Sequence, residues 1–288
     1  MTIFNLGSIN ADVFYTLPHL VGPGETLAAS SVYEGLGGKG ANMSVASAQA
    51  GADVRHIGAV GLDGGWAIDR LAGFGVETQH IQLVAEKTGH AIIMVDDAGE
   101  NAIVLYPGAN ASIPERAISA ALETGSVADT LLLQNETNAQ QFAAMAAKEL
   151  RLKVAYAAAP FNAESVSAVL PYLDILILNE VEADQLATAT GQTPAQLPVS
   201  DVIVTLGAQG CRWYANSAGT ETEFSAIPVE PVDTTGAGDT FTGYLLAALD
   251  TAVEMPEAID LAMKAAAIMV TRKGTADVIP TLDDVLAF

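Results

Sequence analysis

Cysteine is almost missing from this chain. Cys211 is the only one in 288 residues, which excludes an internal disulfide and any cysteine-built metal cluster. Histidine is nearly as scarce: His19, His56, His80 and His90 lack the close spacing that sets two imidazoles on one metal. Basic residues are few, 12 Lys and Arg against 34 Asp and Glu, for a net charge of −22. That balance excludes the basic face needed to grip nucleic acid or an anionic membrane. No apolar run approaches the ~20 residues of a membrane span. The opening Met1-Thr2-Ile3-Phe4-Asn5 has no basic stretch leading into an apolar core, so no secretory signal is expected. These absences lead to the expectation of a soluble, cytoplasmic protein.

What is present is apolar and small. Half of the residues are hydrophobic and 26 are glycine, a composition suited to helices packed closely on a sheet. The chain is long enough to bury a large core. Apolar runs at 3–6, 54–60, 130–134, 153–157, 175–178 and 202–205 read as strands. Between them, 40–50, 66–74, 114–124, 139–150 and 163–170 have helical spacing, as do 240–249 and 257–270 near the end. Strands alternating with helices predict an α/β fold with a mainly parallel central sheet covered on both faces. Runs 90–95 and 102–106 flank Asp96-Asp97-Ala98-Gly99-Glu100-Asn101, a hairpin signal, and 211–224 is similar. The early hairpins do not fit the helical wrapping. One domain is expected, 1–288, with a small β-sheet lid from roughly residues 10–35 and 88–107.

The most informative stretch is Asp233-Thr234-Thr235-Gly236-Ala237-Gly238-Asp239-Thr240-Phe241. It follows a run at 227–232 that reads as extended, and it opens the helix 240–249. Glycines there let backbone N–H groups converge on an anion, and the helix start adds partial positive charge. Asp239 in such a cradle repels what the cradle attracts, unless it takes a proton from a hydroxyl attacking a phosphoryl group. A glycine turn with an N-cap Asp is the plainer alternative.

A second glycine-rich turn, Gly35-Leu36-Gly37-Gly38-Lys39-Gly40-Ala41-Asn42, contains G-x-G-x-x-G by coincidence. It does not lie at the first strand, and Val54-Arg55-His56-Ile57 carries no terminal acid for a ribose hydroxyl, so a dinucleotide fold is not supported. Nor is it a Walker A loop, since Gly40 follows Lys39. The turn presents Lys39 and Asn42 to a small polar ligand, or is merely tight with a solvated lysine. Asn10 and Asp12 follow the first strand, Glu136 follows 130–134, and Asn179 and Glu182 follow 175–178. Strand ends of this kind are where open α/β sheets bind ligands. Asn179 and Glu182 serve equally well as a helix cap and acidic first turn.

Taken in this order, the motifs resemble the ribokinase branch of the PfkB carbohydrate kinase family. Gly-Gly-Lys-Gly-Ala-Asn (37–42) and Asp-Thr-Thr-Gly-Ala-Gly-Asp (233–239) are specific in combination, and the likeness runs from about Gly7 to Pro280. It implies a ribokinase-like three-layer sandwich with a β-sheet lid. It also implies ATP-dependent phosphorylation of a pentose's primary hydroxyl, D-ribose to D-ribose 5-phosphate first. Fructose, ribulose or a nucleoside is the alternative acceptor, and a catalytically silent sugar-binding regulator is a remoter one. By this resemblance Asp239 is the base and Gly236, Ala237 and Gly238 form the anion hole. Asn10, Asp12, Gly38, Lys39, Asn42 and Glu136 match sugar positions. Asn179, Thr205, Gly207, Gly210 and Gly238 match ATP positions, with Lys264 near the adenine where Asn or His is usual. Glu182 matches the acid that organises Mg²⁺ through water. Asp233, Thr235, Met269, Arg272 and Gly274 match ligands of a monovalent cation, usually K⁺, the last three mainly through carbonyls. The lid pairs two subunits into a homodimer in such enzymes. The segment 187–201 is short here, without a helix found in typical members.

Overall fold

A computed structural model describes residues 1–288. Strand β1 (Thr2–Leu6) leads into β2 (Asn10–Leu17), β3 (Ser31–Gly37) and helix α1 (Lys39–Gln49). Then come β4 (Asp53–Val60), α2 (Gly65–Gly73), β5 (Ile81–Leu83), β6 (Gly89–Asp96) and β7 (Asn101–Tyr106). A regular run follows: α3 (Glu115–Leu122), β8 (Thr130–Gln134), α4 (Gln140–Glu149), β9 (Lys153–Ala157), α5 (Ala163–Val169), β10 (Ile175–Asn179), α6 (Glu180–Thr190) and β11 (Asp201–Thr205). The chain ends with β12 (Gly210–Ala215), β13 (Thr220–Ser225), α7 (Ala237–Asp250), α8 (Met255–Met269) and α9 (Leu282–Ala287).

Nine strands form one sheet in the order β13-β12-β11-β10-β9-β8-β1-β4-β5, parallel except where β12 and β13 close one edge. Successive side chains on a strand point to opposite faces, and both faces are apolar here. Ile3, Leu132, Ile177 and Ile203 pack with α1, α7 and α8. Phe4, Leu133, Leu176 and Val204 pack with α3, α4 and α6. The result is the three-layer arrangement expected from the alternating pattern. At the α1–α7 contact a Cβ on Gly243 would lie 2.4 Å from that of Ala46, so glycine lets the two helices approach closely.

A separate four-stranded sheet has the order β3-β2-β6-β7. Its two hairpins are joined by parallel pairing of β2 with β6, which sets Asn10 beside Gly89 on one side and Gly37 on the other. Two features depart from the local sequence signals. Residues 227–232 carry no strand; the prolines at 228 and 231 lack the N–H that ladder pairing needs. Strand β5 has three residues, too few to show a period. Between α6 and β11, residues 191–200 hold only a short 3-10 turn at Pro194–Gln196.

Candidate active site

Strand β1 lies between β4, which follows it, and β8, from which the chain builds outward the other way. A crevice opens at the C-terminal ends of strands where the order reverses like this. Ser8 lies just past β1 and Glu136 just past β8, and the Ser8 hydroxyl donates to Glu136 Oε2. The Lys39 backbone N–H donates to the same oxygen at 3.0 Å, and Gly40 N–H donates to Ser8 Oγ at 3.2 Å. Helix α1 therefore starts against the mouth of the crevice. A Cβ on Gly40 would lie 2.3 Å from Gly7 Cα and Ser8 N, so only glycine allows this approach.

Asn10 and Asp12 are two apart on β2 and share a face. Both are buried. Burial first, then the charges of Glu136 and Asp239, push the Asp12 carboxyl up to about 7.

On the opposite wall Asn42 Nδ2 donates to Asp239 Oδ2 at 2.8 Å. A carboxylate only accepts, so this bond fixes the amide: Asn42 Oδ1 is turned away from Asp239, and it is buried without a partner. Asp239 occupies the first turn of α7, which begins at Gly236 with φ of 75° and has no side-chain cap. The first N–H groups of a helix have no intrahelical acceptor and, with the helix dipole, suit an anion. Lys39 is half-buried among the carboxylates of Asp239, Glu136 and Glu182, which in that order raise its pKa. Asn10, Asp12, Gly38, Lys39, Asn42, Glu136 and Asp239 thus come together from the small sheet, α1, β8 and α7.

Beside the α7 N-terminus is a cavity of about 430 Å³, within the range of small-ligand pockets. Its walls are mostly apolar: Ile227, Pro228, Val229, Met263, Ala266 and Ala267, with Ala237, Gly238 and Phe241 at the α7 end. Thr205, Gly207 and Gly210 line it, and the strandless segment with Ile227, Pro228, Val229 and Pro231 forms one wall. Asn179 and Lys264 do not line it. Asn179 caps α6: its Oδ1 accepts from Glu182 N–H at 2.8 Å while Glu182 Oε2 accepts from Asn179 N–H at 2.9 Å. Lys264 is half-buried on α8, next to Met263 but outside the lining.

Two loops meet behind α7. Asp233 Oδ1 accepts from Thr235 N–H at 2.9 Å, and its Oδ2 accepts from Gly274 N–H at 3.2 Å. Val232 and Asp233 N–H groups both donate to Val270 O. The Arg272 guanidinium is directed to Val278 O and Asp284, and its backbone N–H donates to Met269 O at 3.0 Å. No group of three or more His, Cys, Asp or Glu side chains is placed to hold a metal ion by itself.

Residues 2–282 match the model of the pfkB family carbohydrate kinases. The chain belongs to this family. It is similar to the ribokinase of Haemophilus influenzae, 36% identical over 302 residues, covering 100% of this chain and 98% of that one. The Bacillus subtilis ribokinase is 32% identical, with 97% and 96% covered. Among solved structures, Thermotoga maritima ribokinase superposes with a TM-score of 0.90 at 31% identity, covering 100% and 98% of the two chains. Arabidopsis thaliana ribokinase complexed with ribose and ATP superposes at 0.85 with 28% identity, covering 99% and 97%.

Beneath the kinase's polar pocket is a buried network that sequence reasoning did not find. Gln134 Nε2 donates to Asn5 Oδ1, and Asn5 Nδ2 donates to Gly40 O and Ser44 Oγ. His56 Nε2 lies 3.1 Å from Gly7 O. A carbonyl only accepts, so that nitrogen carries the proton and Nδ1 accepts from the Ser44 hydroxyl. Full burial lowers the His56 pKa to about 4, and the ring stays neutral as part of the scaffold. Asn110 also escaped notice, although it follows β7 much as Glu136 follows β8. No helix of the kinase is long and apolar enough to cross a membrane.

Proposed function

We propose that the chain is an ATP-dependent sugar kinase that phosphorylates the primary hydroxyl of a pentose, D-ribose first, to give D-ribose 5-phosphate. The observation that carries this reading is Asp239: a buried carboxylate in the uncapped first turn of α7, held by Asn42, between a polar pocket and an apolar slot. The nucleotide base lies in the slot, with its terminal phosphate over Gly236, Ala237 and Gly238. Asn10, Asp12, Gly38, Lys39, Asn42 and Glu136 hold the sugar. Asp239 takes the proton of the hydroxyl that attacks in line, and the α7 N–H groups with Lys39 stabilise the charge spread over the phosphoryl oxygens. The small sheet acts as a lid that closes over the sugar and keeps water from the phosphoryl group. Thr205, Gly207 and Gly210 contact the nucleotide; Asn179 does so from the α6 cap, and Lys264 only from the rim.

The residues present fit the expected ions. Glu182 is buried with one of its carboxylate oxygens held by Asn179 N–H, leaving the other for a water of Mg²⁺, which neutralises phosphate charge when bound. Asp233 with the carbonyls of Thr235, Met269, Arg272 and Gly274 is a hard oxygen set suited to K⁺, which adds positive charge beside the loop entering α7. The lid also carries the dimer contact. Val32 and Tyr33 on β3 and Ile103 to Tyr106 on β7 are exposed, up to 62% for Val32, and apolar edge strands like these invite a partner. Leu105→Glu then converts a dimer to monomer in sedimentation.

The deciding experiment measures ADP release from Mg·ATP with D-ribose, 2-deoxyribose, fructose, ribulose and nucleosides, in K⁺ or Na⁺. Ribose-dependent release enhanced by K⁺ is expected. Release with another acceptor alone corrects the substrate, and sugar binding without release points to a regulator.

A further inference from the structure

Asn110 belongs to a short 3-10 turn, Gly108–Ala111, where the chain returns from β7 to the α/β body. It is buried, 2% exposed. Its Oδ1 accepts from Ile9 N–H at 2.9 Å, and its Nδ2 donates to Asn10 Oδ1 at 2.8 Å. Ile9 is where the chain leaves the body for the lid, so one side chain joins both crossings.

The orientation of these amides follows from hydrogen-bond logic alone. A backbone N–H can only donate, so Asn110 presents oxygen to Ile9 and its NH₂ to Asn10. The group facing that NH₂ must be the Asn10 oxygen, and the Asn10 NH₂ is thereby left for the pocket. The contact runs across Gly89, where a Cβ would lie 2.2 Å from Asn110 Nδ2 and 2.5 Å from Asn10 Oδ1. Above pH 7, where Asp12 has released its proton, most other side-chain groups around the pocket accept: Asp12, Glu136, Asp239 and the unpartnered Asn42 Oδ1. Lys39 is the other donor. A sugar hydroxyl that donates to a carboxylate must accept from something, and Asn10 supplies one of the two side-chain donors able to meet it.

We propose that Asn110 is a specificity-determining positioning residue: it locks the Asn10 amide so that its NH₂, not its carbonyl, faces the sugar. This rests on the sugar-kinase reading and adds a residue that does not itself touch the substrate.

Two variants separate this role from simple packing. Asn110→Asp keeps the size and the acceptor for Ile9 N–H but faces Asn10 with an oxygen, which turns the Asn10 amide over. Asn110→Ala removes both contacts and imposes no orientation. Sugar affinity measured by calorimetry at pH 8 is expected to fall ~10–100-fold for Asn110→Asp and only ~2–5-fold for Asn110→Ala, the range of an unpaired polar group against a lost contact. The kinetic loss falls on the sugar KM more than on kcat, and Mg·ATP affinity is unchanged. Of the 1-, 2- and 3-deoxy riboses, the one lacking the hydroxyl opposite Asn10 binds wild type and Asn110→Asp alike.

A packing role predicts the reverse order, with alanine worse and affinity tracking thermal stability. That order, or Asn110→Asp within threefold of wild type, overturns the proposal. Wild type in the same titration reports separately on the pentose reading. If it selects a different sugar, the order of the two variants is read with that sugar; if it binds no sugar, both readings fall.

Discussion

Replacing Asp239 by asparagine tests the chemistry most directly. In the native protein Asp239 Oδ2 accepts from Asn42 Nδ2 at 2.8 Å, which leaves Oδ1 free to take the substrate proton. In Asp239→Asn the new carbonyl oxygen keeps the Asn42 bond, and an NH₂ stands where the base was. The acceptor becomes a donor, with little change in volume. Loss of a positioned general base costs about 10²–10⁴-fold, or roughly 2.7–5.4 kcal/mol in the barrier at 1.36 kcal/mol per decade. Lys39 loses the first of the charges that raise its pKa but keeps Glu136 and Glu182, so it remains protonated. Coupled ADP-release kinetics at saturating sugar and Mg·ATP should show kcat reduced by at least about 100-fold, with sugar affinity by calorimetry within a few-fold of wild type. A kcat within tenfold of wild type, in a protein with an unchanged melting profile, would refute the assignment of Asp239 as base.

Three further outcomes follow from the geometry. Asp12, raised to about 7, holds a proton in the folded state that the unfolded chain has already released above its ordinary value. Its contribution to stability is therefore lost as pH rises towards 7. Asp12→Asn should gain about 2–3 kcal/mol relative to wild type between pH 5 and 7.5, seen in denaturant titrations, while losing sugar affinity; a pH-independent difference counts against the coupling. Gly40→Ala would force α1 off Gly7 and Ser8, at a cost of about 3 kcal/mol or more and a midpoint lower by roughly 6–12 °C; an unchanged melt contradicts that close approach. Asp233→Ala frees the Thr235 and Gly274 N–H groups and should abolish the difference between K⁺ and Na⁺ in ADP release, while retained K⁺ activation moves the cation elsewhere.

Much of this molecule was legible along the chain because the relevant physics is local. Apolar runs of strand length alternating with helical spacing lead to a parallel sheet covered on both faces, and the strands at 130–134, 153–157 and 175–179 follow that signal closely. The glycine-rich, uncapped start of α7 was legible for the same reason: Gly236, Ala237, Gly238 and Asp239 are consecutive, and a helix start needs no distant partner to offer its N–H groups. The apolar slot was not legible. It is assembled from β11, the loop after β13, α7 and α8, and alanines such as Ala266 and Ala267 carry no mark of a binding wall. Asn179 shows the opposite limit, since cap and ligand use the same side chain at the same place.

The sequence by itself determined the alternation of elements, the glycine-rich turns and the types of residue available for acid, base and amide chemistry. Only the tertiary structure decided which of them face one another. Asn42 meets Asp239 across 197 positions because α1 packs on α7, and Glu136 meets Ser8 because β8 returns beside β1. It also decided polarity. A free asparagine can turn either end of its amide to a ligand; Asn10 and Asn42 cannot, because their neighbours at Asn110 and Asp239 hold one end each. That constraint depends on distance and direction between groups far apart in the chain, which no local pattern encodes.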